Sequence, residues 1–191
     1  MEVSWPALLT AISSCQRCRL CDSRTNTVPG EGNVKSALMF IGEGPGRDED
    51  LTGRPFVGAA GRLLEKALQA IGHSRDTVYI ANAVKCRPPE NRTPAPDEVE
   101  ACFFYLRAQV ALIKPKVIVL LGACALKAVL GPEARITRDR GQWVQRKGVW
   151  IMPTFHPAAL LRDEEKKRPF WEDMKTIRDK VLEMQNTDTE N

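Results

Sequence analysis

The chain carries six cysteines and only two histidines, and the cysteines are spaced unevenly. Cys15, Cys18 and Cys21 form a C-x2-C-x2-C run, Cys86 and Cys102 follow far downstream, and Cys124 stands alone in an apolar stretch. A two-residue spacer lets two sulfurs point at one ion, and two more from distant elements can close a tetrahedral thiolate site. Either Cys18 or Cys21 can complete the pair with Cys15, and the spacing suits zinc and an iron–sulfur cluster alike. The ordinary alternative for Cys86, Cys102 and Cys124 is a small buried hydrophobe, and for Cys124 it is the favoured one.

A second set of residues sits at the ends of apolar runs. Gly42-Glu43-Gly44-Pro45-Gly46 lets the backbone approach a ligand closely. It is not a dinucleotide fingerprint, because Arg47 stands where the third glycine would fall. Nor does it suit a phosphate, which Asp48, Glu49 and Asp50 would repel. Taken alone it could be a plain turn. Phe56, in Gly-Arg-Pro-Phe-Val-Gly, is either local packing or a stacking platform for a base. Asn82 lies inside a β-rich run, where an amide is costly unless paired; it can offer a donor and an acceptor to a base edge. Asn91 is a turn former or a positioned polar group. His156 falls between Phe155 and Pro157, which favours extended backbone at the histidine, and His73 reads as a surface residue.

These residues need a frame. Short β-rich runs occur at Ala37–Ile41, Val78–Val84, Val117–Leu121 and Val149–Phe155. Helical patterns lie between and around them at Gly61–Ile71, Pro96–Ile113 and Pro169–Met184. Strands separated by helices predict parallel βαβ units with helices on both faces of the sheet. Ligands bind beyond the carboxyl ends of such strands, where the Gly-Pro loop, Cys86 and His156 all fall.

At 191 residues and 43% apolar content the chain fits one globular domain, expected over 1–185, with a frayed polar tail at 186–191. The net charge of +4 permits a nucleic-acid partner without requiring one. The longest apolar run is too short to cross a membrane, and the N-terminus lacks the basic start of a secretory signal. A cytoplasmic protein is expected, working as a monomer, with its cysteines reduced and no membrane contact.

Together, Gly42–Gly46 with its acidic run, Gly53–Gly58, Asn82–Pro89, Asn91 and His156–Arg162 resemble the uracil-DNA glycosylase superfamily, and within it the iron–sulfur branch, family four. The resemblance implies a three-layer α/β/α sandwich around a central four-stranded parallel sheet. It implies hydrolysis of the N-glycosidic bond of deoxyuridine in single- or double-stranded DNA, the first step of base excision repair. It also implies a 4Fe–4S cluster on an N-terminal arm, with Cys15, Cys18, Cys86 and Cys102 as ligands and Cys21 left over. By the same resemblance Phe56 stacks on the flipped uracil, Asn82 reads its polar edge and His156 donates to the oxygen that gains charge. Gly42, Glu43 and Gly44 belong to the first loop, and Glu49 lies near the 5-position of the base. Glu43 and Asn91 are the candidates for handling the water, and the segment after His156, including Leu160, enters the gap in the DNA. Two departures stand out. Arg47 replaces a residue that is often acidic in the family, and Glu43 stands where the best-known branch carries its water-activating aspartate.

Overall fold

Two all-apolar runs, Leu38–Gly42 and Val117–Leu121, are buried on both sides and form the centre of a sheet that helices must cover on each face. The computed structural model describes residues 4–189. In chain order the elements are α1 (Trp5–Ser13), β1 (Glu31–Gly32), β2 (Leu38–Gly42), α2 (Arg47–Thr52), α3 (Ala59–Ala70) and β3 (Tyr79–Asn82). Next come α4 (Pro96–Ile113), β4 (Val117–Leu121), α5 (Ala123–Leu130), α6 (Ile136–Asp139), β5 (Val144–Arg146), β6 (Val149–Thr154), α7 (Pro157–Arg162) and α8 (Lys167–Thr189).

The sheet corrects the expectation of four parallel strands. It has six, in the order β1-β3-β2-β4-β6-β5. The inner four are parallel, and β1 and β5 are antiparallel edges. β5 returns on β6 through the two-residue turn Lys147-Gly148, both with positive φ, which matches the twist of a hairpin. β1 is only two residues long and pairs with β3. The expected tail begins inside α8, which runs to Thr189. Residues 1–3 of the expected domain and 190–191 of the tail lie outside the described residues.

Alternation along the strands divides the core. Leu38, Phe40, Val78, Ile80, Val117, Val119 and Met152 pack with α3, α7 and α8. Met39, Ile41, Tyr79, Ala81, Ile118, Leu120 and Ile151 pack with α4 and α5 on the other face. The strand order reverses between β2 and β4, so the crevice for a ligand opens beyond Gly42 and Leu121. Among the described residues no helix is long and apolar enough to cross a membrane.

One carboxylate fastens the N-terminal arm to this frame. Glu98, fully buried in the first turn of α4, accepts from the Ala95 backbone N–H at 2.7 Å, as a helix-capping residue does. It also accepts from Arg19 Nε at 2.7 Å and from both terminal nitrogens of Arg92 at 2.7 and 2.8 Å. Arg92 and these backbone and arginine donors hold its carboxyl down to about 2. A carboxyl depressed in the folded state stabilises above its unfolded value and stops doing so as pH falls through the folded one. Glu98→Gln should therefore cost about 1–2 kcal/mol at neutral pH, the arginines being partly screened by solvent. In urea unfolding, that difference from the unmodified chain should shrink as pH drops from about 4.3 towards 2.

Candidate functional site

β2 and β3 end side by side, with Gly42 opposite Asn82. A methyl group on Gly42 would stand 2.4 Å from Asn82 Oδ1 and 2.5 Å from Phe56 Cζ, so the amide and the aromatic ring meet over a backbone that leaves them room. Asn82 is 1% exposed, and among the described residues its Oδ1 has no hydrogen-bond partner. A buried acceptor left unpaired costs about 1–3 kcal/mol unless something completes it.

Phe56 holds a left-handed backbone, φ 53°, which non-glycine residues rarely adopt. Its carbonyl accepts from Arg75 Nη2, while Arg75 Nη1 donates to the Pro55 carbonyl and to Glu31, each at 2.9 Å. From α3, Gly61 lies so close that a methyl group there would overlap the Phe56 carbonyl at 1.8 Å. Glu49 completes the clamp. Its carboxylate accepts from the backbone N–H groups of Gly46, Val57 and Gly58 at 3.1, 2.8 and 2.9 Å, which joins the Gly-Pro loop to the Phe56 loop.

His156 caps α7, where its Nδ1 accepts from the Ala158 N–H at 3.1 Å. That bond fixes the tautomer and leaves the proton on Nε2. Burial, together with Arg162, lowers the imidazole to about 4 against a weaker pull from Glu49, so the ring is neutral near pH ~7. The Phe56 and His156 rings lie 5.5 Å apart at 27°. Burial pushes the Glu43 carboxyl up, and Arg162 draws it partly back.

Glu43, Gly44, Glu49, Phe56, Asn82, Asn91 and His156 all line one cleft of about 560 Å³. Gly42, which stands against Asn82 and Phe56, is not part of the lining. The Asn91 amide oxygen accepts from Arg87 Nε at 2.7 Å. One sequence expectation changes here. The segment after His156 is a helix, and Leu160 is 2% exposed within the core, whereas Leu161 is 51% exposed. Arg140 is turned inward onto Asp173, which also accepts from Thr154 at the end of β6. Sequence reasoning missed Arg75, Leu161 and the clamp made by Glu49.

A separate pocket is lined by Cys15, Cys18, Cys21, Cys86 and Cys102, so the arm and the segment after β3 bring five thiols together. Among the described residues no Asp or Glu lines it, while Arg17, Arg24 and Lys85 do. Arg24 Nη1 donates to Cys86 Sγ at 3.3 Å and to the Cys15 carbonyl at 2.8 Å, and the Lys85 N–H donates to Cys102 Sγ at 3.2 Å. Cys21 instead gives its thiol to Asp22 at 3.3 Å. The donor set is that of a thiolate-ligated metal. Among the described residues no three of these side chains close on a single ion. Cys124 lies apart in α5, its thiol pushed up to about 12 by burial.

A mainly parallel sheet that brings an aromatic ring, a carboxamide and an imidazole to one cleft beyond its strand ends defines an α/β protein with its ligand crevice at the carboxyl ends of the strands. The family model of the Uracil DNA glycosylase superfamily matches residues 29–175, and the chain belongs to that superfamily. It is 51% identical over 156 residues to the Type-4 uracil-DNA glycosylase of Thermotoga maritima, covering 80% of each chain. It is 46% identical over 180 residues to that of Sulfurisphaera tokodaii, covering 90% of this chain and 82% of the relative. The Type-4 uracil-DNA glycosylase of Archaeoglobus fulgidus is 45% identical over 178 residues, covering 89% of both.

Gly42→Ala should leave the fold intact and close the slot between Asn82 and Phe56. A displacement of this size near reacting groups costs about 10²-fold in kcat/KM, to be measured beside a circular dichroism spectrum matching that of the unmodified chain.

Proposed function

We propose that this protein is a monofunctional DNA glycosylase that hydrolyses the N-glycosidic bond of deoxyuridine in DNA, releasing free uracil and leaving an abasic site for base excision repair. The observation that carries this reading is the unpaired Asn82 Oδ1, buried beside Phe56 in the wall of the cleft. Uracil offers N3–H to that oxygen and O4 to the amide N–H2. Cytosine lacks the N3 proton and presents an amino group instead, a mismatch of about 1–3 kcal/mol.

Extruding the nucleotide costs a few kcal/mol, and stacking on Phe56 offsets about 1–3 kcal/mol of it. At 5.5 Å the Phe56 and His156 rings are too close to sandwich a base, which needs about 3.5 Å on each face. The base therefore lies on Phe56 and meets His156 at its edge. As the glycosidic bond breaks, its electron pair passes to the uracil ring. The neutral Nε2–H of His156 donates to the oxygen where that charge gathers, a contribution of about 10²–10³ in rate. Glu43, desolvated in the same cleft, takes the proton of the attacking water, and Asn91 orients that water through its amide N–H2, since Arg87 occupies its oxygen. Glu49 is a positioning residue beside the 5-position, and Gly42 and Gly44 keep the slot open. Leu161, rather than Leu160, fills the gap left in the DNA stack.

Cys15, Cys18, Cys86 and Cys102 are the ligands we assign to a 4Fe–4S cluster; the bond from Cys21 to Asp22 favours leaving Cys21 out. When bound, such a cluster cross-links the N-terminal arm to the core and can carry an electron. We take the protein to act as a monomer on single- or double-stranded DNA in the cytoplasm.

Incubation with DNA containing deoxyuridine, without added metal or nucleotide, should release free uracil. Asn82→Asp should narrow the preference for uracil over cytosine; full activity with unchanged selectivity would remove Asn82 as the reader. The kcat/KM should rise with pH through the Glu43 carboxyl, above the ordinary carboxylate range, because His156, near 4, is already neutral there. Glu43→Gln should give a low profile without that acid limb. An unchanged limb would assign it to another group.

A further inference from the structure

Lys85 has a long charged side chain, yet it is 1% exposed. Its ammonium donates to the Asn82 carbonyl at 2.8 Å and to Gln109 Oε1 at 2.7 Å, both neutral acceptors. Gln109 turns its own amide N–H2 to the Pro29 carbonyl and the Tyr79 hydroxyl, so among the described residues no carboxylate enters the network. Buried charges are ordinarily paired, and an unpaired one is costly. The groups nearby that could carry a balancing charge are the thiols of Cys15, Cys18, Cys86 and Cys102, whose pocket Lys85 also lines and where its backbone N–H reaches Cys102 Sγ. Arg24 bonds to Cys86 Sγ from the same lining, which contains no acidic residue among those described.

We infer that Lys85 is the internal counter-ion of the thiolate site, balancing from inside the core the net negative charge of four metal-bound cysteines. Arg24 serves the solvent side of the same site. The inference rests on the assignment of these cysteines as ligands. It explains why a lysine is tolerated where Val84 and Ala83 beside it are wholly buried. Such outer partners are commonly worth about 10–100-fold in metal affinity.

The test uses full-length protein purified without oxygen, analysed for iron and sulfide, and then challenged with a chelator while its visible absorbance is followed. Lys85→Met, which removes the charge at similar length, should lose its cluster about tenfold faster than the unmodified protein. Its midpoint potential should move to more negative values, because an added electron loses a nearby positive charge. Should Lys85→Met fail to fold, Lys85→Gln carries the same test, since it is neutral but keeps an N–H donor for the Asn82 carbonyl. Retention and potential equal to those of the unmodified protein in a folded neutral variant overturn the inference and leave the cluster reading intact. Protein that carries zinc without sulfide overturns the cluster reading instead, and the counter-ion is then judged by how fast the same variants surrender zinc.

Discussion

Three backbone N–H groups from two separate loops converge on the Glu49 carboxylate, and the slot depends on that convergence. The Gly-Pro loop and the Phe56 loop are rich in glycine and hold little packing of their own. Buried N–H groups must find acceptors, and here one side chain supplies them for both loops at once. With Arg75 holding the carbonyls on the other side, Phe56 is kept in a backbone conformation that it would not adopt alone. The ring is thereby fixed at the distance from Asn82 that a bare Gly42 permits.

The sheet supplies the rest of the geometry. Parallel pairing carries β2, β3, β4 and β6 to one end, and the reversal of strand order parts their connections there. Gly42, Asn82 and His156 arrive from three different strand ends for this reason. Polar side chains at such positions cannot be explained by packing. Asn82 is the clearest instance, since its backbone carbonyl is met by Lys85 while, among the described residues, its amide oxygen has no partner.

Much of this was legible in the sequence. β4 and α4 run over the residues that their patterns predict: an unbroken apolar run stopped by Gly122, and a helix opened by Pro96 with Glu98 two residues on. The edge strands were not legible. β1 has two residues, and β5 has three that are mostly exposed, too few for a period to show; only Lys147-Gly148 marks the hairpin. Phe56, Asn82 and His156 stood out because a ring, an amide and an imidazole are unusual where they fall. Arg75 and Lys85 did not, because the contacts with Phe56 and Gln109 that hold them span 19 and 24 residues and follow no spacing rule. Leu160 and Leu161 are chemically alike, and only the helical turn of α7 decides which of them faces out.

That short helix has a further effect. His156 caps one end of α7 and Leu161 projects from near the other, so imidazole and leucine belong to one rigid rod, about 7.5 Å apart along its axis. Neither can be adjusted alone. Any displacement of α7 that moves the leucine carries the imidazole with it, so the placement of one fixes the placement of the other.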